Sequence, residues 1–157
     1  MRSDDDVRGG GSESQLTITA AGDSALFHGS LDIRRLGGAG FASQRTVGTL
    51  VLNLSAFAGL ELVIAAPDSD CKRYAITLKD EQPQVTADGR DASTVSWEAD
   101  FSLCEKEVGR AKGVDGEILF LPWEKFRPTY RGRDWPAAGA LDTSDIKRIS
   151  FLMRRLV

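Results

Sequence analysis

Apolar residues along this chain recur at alternate positions or in brief continuous runs, and no window keeps a helical spacing for three turns. The runs predict strands near Ser14–Ala20, Ala25–Ile33, Ala39–Thr46, Leu60–Ala65, Lys72–Lys79, Val95–Phe101, Gly116–Pro122 and Ile146–Leu152. Between them stand Gly22-Asp23, Gly37-Gly38, Pro67-Asp68, Asp88-Gly89 and Gly113, residues that reverse the backbone. Short strands punctuated in this way predict an all-β sandwich or barrel. Two brief helical turns are expected, at Ser55–Phe57 and at Asp142–Asp145, the second capped by Asp142 or Thr143. The stretch Glu81–Ser93 shows neither period and is expected to form a long mobile loop.

Alternation also assigns faces. Val95, Trp97, Ala99 and Phe101 share one side of their strand, with Ser96, Glu98 and Asp100 on the other, which makes Trp97 a core residue. In the last strand Ile149, Phe151 and Met153 face the core, whereas Arg148, Ser150, Leu152 and Arg154 form a mostly polar side expected to meet solvent or a ligand.

Composition narrows the class. A chain of 157 residues with 41% hydrophobic content is enough for one packed domain, residues 1–157. A net charge of -3 argues against non-specific nucleic-acid binding. No apolar run reaches the roughly 20 residues of a membrane-spanning helix; Leu50–Ala66 is interrupted by Asn53, Ser55, Gly59 and Glu61. The start, MRSDDDVRGGG, has no apolar core for a signal peptide and is too acidic for a mitochondrial presequence. Cys71 and Cys104 read more simply as two buried thiols than as a disulfide.

Catalytic signals are weak. His28 is the single histidine and sits in a strand-like run, so no catalytic residue and no metal site is expected. Glu61, Asp80, Glu98 and Asp100 supply carboxylates, but no spacing selects a pair. A calcium site on Asp68 and Asp70 is the weaker reading of those loop residues.

The binding signals are stronger. Arg127, Arg131 and Arg133 fall within seven residues, with Tyr130 among them and Trp135 just beyond, in what reads as a stiff loop bounded by Pro128 and Gly132. Guanidinium groups beside aromatic rings suit a carboxylate, a phosphate or a backbone carbonyl. The alternative is a self-satisfied loop whose arginines stack on Trp123, Trp135 or Tyr130. Arg8, before Gly9-Gly10-Gly11, belongs either to an anion cradle or to a bent strand connection. Arg73 and Tyr74 complete the candidate binding set.

Five blocks then occur in one order: Asp6–Ser14 (DVRGGGSES), Gly40–Arg45 (GFASQR), Leu52–Leu60 (LNLSAFAGL), Lys72–Asp80 (KRYAITLKD), and Leu121–Trp123 running on to Arg133, Leu141–Ser144 and Ile146–Ile149. In this order they resemble the CIA30 family, the complex I intermediate-associated proteins. The resemblance implies a galactose-binding-like β-sandwich of jelly-roll type acting as a non-enzymatic assembly module. It implies a protein partner, a complex I intermediate or related client, no cofactor, and residence in the mitochondrion; without a presequence the chain is otherwise expected in the cytoplasm. Against the family pattern one strand is expected to be missing at each end, leaving two sheet edges unpaired. Two other functions stay open: a carbohydrate-binding, lectin-like module stacking sugars on Tyr74, Trp97, Tyr130 and Trp135, and a cofactor-free tailoring enzyme.

Overall fold

The computed structural model describes residues 2–4, 10–34, 40–65, 73–87, 89, 91–102, 109–110 and 117–155. These residues hold twelve strands. The first six are β1 (Arg2–Asp4), β2 (Glu13–Ile18), β3 (Ala25–Ser30), β4 (Gly40–Arg45), β5 (Gly59–Ile64) and β6 (Arg73–Lys79). The others are β7 (Ser96–Ser102), β8 (Gly109–Arg110), β9 (Glu117–Pro122), β10 (Arg127–Tyr130), β11 (Arg133–Asp134) and β12 (Arg148–Arg155). Short 3-10 turns at Trp123–Lys125 and Pro136–Ala138 are the only helical pieces among the described residues.

A seven-stranded antiparallel sheet runs in the order β1-β4-β12-β6-β7-β10-β11. Its register confirms the faces expected from alternation. Ile149, Phe151 and Met153 stand opposite Leu78, Ile76 and Tyr74, which in turn stand opposite Trp97, Ala99 and Phe101. All nine point to one side because directly paired residues share a face. The three residues of β1 pair with β4 at one edge of the sheet.

Two smaller sheets cover that side. Leu119 and Leu121 of β9, with Leu60 and Leu62 of β5, pack against Ile76, Leu78, Trp97 and Ala99 to form the main core, which Phe126 and Ile146 close. The β2–β3 hairpin covers the neighbouring area: Phe27 meets Phe151 at 6.3 Å between ring centres, and the Gln44 amide donates to the Ser14 carbonyl at 2.9 Å. Gly29 makes this docking possible, since a Cβ there would fall 2.0 Å from the Glu13 carbonyl oxygen and 2.5 Å from the Met153 methyl carbon. The expected all-β sandwich is therefore present, with its second layer divided between two sheets.

Each predicted strand region contains an observed strand, although the last begins later. Ile146 forms an isolated bridge to Leu52, and β12 starts at Arg148. Asp142–Asp145 forms a turn without a helical piece, with Ser144 donating its backbone N–H (2.9 Å) and hydroxyl (2.6 Å) to the Asp142 carboxylate as a cap. Ser55–Phe57 makes only a turn, closed by the Phe57 N–H on the Leu54 carbonyl.

Two expectations are corrected. Arg127–Arg133 is not a loop but a β-hairpin, with Tyr130 opposite Arg133 and Thr129 opposite Asp134. Its proline is tolerated because Pro128, opposite Trp97, turns its carbonyl away from β7, where it accepts the Trp135 N–H at 2.9 Å. The stretch Glu81–Ser93 has the irregular backbone of the expected loop, but its described residues form a strap tied to the sheet rather than a free loop. It doubles back through the Val85–Asp91 bridge and an Ala92 N–H to Gln84 carbonyl bond, and ties down onto the polar face of the large sheet.

Candidate functional site

The side of the large sheet opposite the core is built from Arg45, Arg148, Ser150, Arg154, Arg73, Thr77, Lys79, Glu98, Asp100, Arg127 and Thr129, interleaved in sequence with the core residues. The alternation that buries Ile76 and Leu78 necessarily sends these outward. They are not loosely solvated. Arg154 reaches across β6 to β7, donating to Glu98 at 3.1 Å and to Asp100 at 2.5 Å. Ala75 is the residue between them, paired with both Leu152 and Asp100 and only 1% exposed, so a small side chain leaves room for the guanidinium to pass above it. Arg127 adds a 3.3 Å pair to Asp100, and the Thr129 hydroxyl donates to Glu98 at 2.8 Å. The Arg154 and Glu98 side chains are largely shielded, with 18% and 15% of their surface exposed, whereas Arg127 is open.

At the other end of this face Asp91, carried by the strap, lies between two arginines. Arg45 and Arg148 each donate one N–H to the same Asp91 oxygen, at 2.5 and 2.8 Å. Partial burial alone would raise the Asp91 pKa, but the hydrogen bonds from Arg45 and Arg148 outweigh it and hold the carboxyl below its ordinary value. Beside them Lys79 donates to the Thr94 hydroxyl (2.6 Å), the Thr94 carbonyl (3.2 Å) and the Val95 carbonyl (3.3 Å). Burial, reinforced by the charge of Arg148, lowers its pKa to about 8.

The β10–β11 hairpin forms the edge beside this face. Its two turn residues, Arg131 and Gly132, both have positive φ, 52° and 74°, as a type I′ turn requires. Arg131 is the sole non-glycine in that region among the described residues. A side chain there costs about 1–2 kcal/mol. Stacking on Tyr130 at 5.4 Å and a 3.3 Å bond to the Ser93 hydroxyl offset part of that cost. Tyr130 in turn packs on Trp135 at 5.4 Å, and Trp135 keeps 46% of its surface exposed.

The candidate residues therefore separate. Arg127, Tyr130, Arg131, Arg133 and Trp135 come together on the hairpin, where the Arg133 side chain is exposed and makes no hydrogen bond or ion pair among the described residues. Arg73 is exposed at the far end of the polar face, level with Arg154 and Ser102. Tyr74 is half-buried on the opposite side and stacks on Phe101 at 5.7 Å, away from the hairpin. Trp97 is 4% exposed and belongs to the core, as expected. Trp123 donates to the Phe57 carbonyl and packs on Phe126, and among the described residues no arginine is seen stacked on it. Arg8, Asp68, Asp70, Cys71 and Cys104 lie outside the described residues.

Sequence reasoning missed the Arg45–Asp91–Arg148 cluster and Lys79. Arg148 had already been placed on the polar side of its strand, but Asp91 is 46 and 57 positions from its partners and sits in a stretch without a period. Among the described residues no three His, Cys, Asp or Glu side chains gather as a metal site, and no helix is long and apolar enough to cross a membrane.

Comparison with known proteins adds two findings. Residues 1–156 match the family model described as Complex I intermediate-associated protein 30 (CIA30). The chain is also 40% identical, over 157 aligned residues, to an uncharacterized protein of Schizosaccharomyces pombe; the match covers 96% of this chain and 66% of that relative. The chain thus spans just under two thirds of the relative's length.

Proposed function

The chain belongs to the CIA30 family, and from that premise we propose that it docks a protein partner through the β10–β11 hairpin. From the family we read it as a non-enzymatic, protein-binding module. The observation that carries the docking assignment is an exposed Trp135 close in sequence to an exposed Arg133 just beyond the two-residue turn of the hairpin. Aromatic and arginine side chains dominate binding energy where they are held in place and can be desolvated. A strained, non-glycine turn residue is also more often retained for function than for stability.

By family, the client is a complex I intermediate or a related assembly and the compartment is the mitochondrion. We further read residues 1–157 as one domain and its two layers as a galactose-binding-like jelly roll. A sugar-binding role would draw first on Trp135, the exposed ring, with Tyr130 packed beside it, because Trp97 is in the core.

The test is affinity purification from the source cell with wild type beside an Arg133→Glu, Trp135→Ala double variant. Both side chains are exposed, so circular dichroism should show the same fold. A defined partner recovered by wild type and lost from the variant is expected. Equal recovery would move the docking surface away from the hairpin, and calorimetric binding of simple sugars, abolished in the same variant, would favour the lectin reading.

A further inference from the structure

The strap adds a second binding element. Arg45, Lys79 and Arg148 converge on the polar face from three neighbouring strands, and the group seated between the two arginines is a carboxylate of the chain itself. The fit is incomplete. Both arginines share Asp91 Oδ2, Oδ1 accepts no hydrogen bond among the described residues, and the Arg148 Nε–H is buried without a partner. Guanidinium groups bind best when each meets two oxygens of a carboxylate side by side. Asp91 therefore uses one oxygen where the cluster could engage several.

Charge points the same way. Three cations face Asp91 and the nearby Glu81, and Arg148 still presses against the Lys79 ammonium with Asp91 in place. The strap has no regular secondary structure among its described residues: the ion pairs, the Val85–Asp91 bridge, the turn bonds of Gly89 and Ala92, the Ser93–Arg131 bond and buried Pro83 place it, and Val85 at its bend is 71% exposed.

We propose that Asp91 is an internal pseudo-ligand and that the Arg45–Lys79–Arg148 cluster is a binding site for an acidic peptide segment of a partner, which displaces the strap to enter. A carboxylate on an extended segment is the chemistry already occupying the site, and a run of such groups satisfies more of its donors than one aspartate. The inference takes the partner's nature from the protein-binding reading but uses a different surface from the hairpin.

The test is titration of a fluorescein-labelled hexaglutamate peptide into wild type, Asp91→Asn, and Asp91→Asn with Arg148→Gln, at low salt, with folding checked by circular dichroism and thermal unfolding. Asp91→Asn should bind about tenfold more tightly than wild type, the scale of one charge-assisted contact, and the added Arg148→Gln should abolish the gain. Unchanged affinity in folded Asp91→Asn, or an equal gain for a hexalysine peptide, would overturn the proposal. Should Asp91→Asn unfold, wild type decides by hydrogen exchange: saturating hexaglutamate should speed exchange of the Ala92 amide, and unchanged exchange would overturn it. If these titrations fail while the hairpin variant still loses its partner, only the strap site falls.

Discussion

The two faces of the large sheet are made by the same strands yet are held by different physics. On the core face Ile76, Leu78, Trp97 and Ala99 are removed from water and packed under β5 and β9. That attraction is non-directional, and full burial of one large apolar side chain contributes about 1.5–3 kcal/mol. On the polar face Arg154, Glu98, Asp100, Arg45, Asp91 and Arg148 form directional pairs that remain partly wet. Pairs of that kind contribute about 0–1 kcal/mol when exposed, and their desolvation cost rises as they are buried. The core face therefore supplies stability, and the polar face fixes where charges stand and where the strap lies.

The largest expected effect is on the core face. Leu78→Ala removes a fully buried side chain beneath β9, and urea unfolding should show a loss of about 2–5 kcal/mol. A loss below 1 kcal/mol would mean that the second layer collapses to fill the gap.

A smaller effect belongs to Lys79. Its pKa is about 8 when folded and 10.5 at the ordinary lysine value. Below pH 8 the charge is carried in both states, so the desolvation cost is fully present in the folded protein. From pH 8 to 10.5 the unfolded chain holds the proton more firmly, so stability attributable to this residue rises with pH. The stability difference between wild type and Lys79→Met, measured by urea unfolding at several pH values, should shift in favour of wild type across that window. A constant difference would show that the ammonium is fully hydrated.

The smallest effect lies at the hairpin turn. Arg131→Gly relieves roughly 1 kcal/mol of positive-φ strain and loses roughly 0.5 kcal/mol of stacking on Tyr130, for a slight net rise in melting temperature. A fall would mean that the ring and Ser93 contacts outweigh the strain.

Most of the scaffold was legible because its strands alternate cleanly. Val95–Phe101 and Ile149–Met153 announced both their faces and the burial of Trp97. The hairpin was hidden by its own residues: Pro128 argues against a strand, and Arg131 stands where a type I′ turn usually has Asn, Asp or Gly. The strap was illegible because distant ion pairs place it, and a charge contact between residues 45, 91 and 148 leaves no trace in local periodicity. The division of the second layer was equally hidden, since strand pairing across the chain follows from the closed structure rather than from any one segment. Of the proposed binding residues, those on the hairpin were recognised by type, whereas Asp91 and Lys79 gained meaning only from their neighbours.

The position of β12 has a consequence for how the protein is made. The strand that joins β4 to β6 at the middle of the sheet is the last of the twelve to leave the ribosome. Until it arrives, β4 and β6 each present an unpaired edge with apolar neighbours, the arrangement that invites wrong partners in a crowded cell. Closure of the sheet must wait for synthesis to pass residue 155, so slowing translation just before Arg148 should lengthen the interval in which both edges stand open.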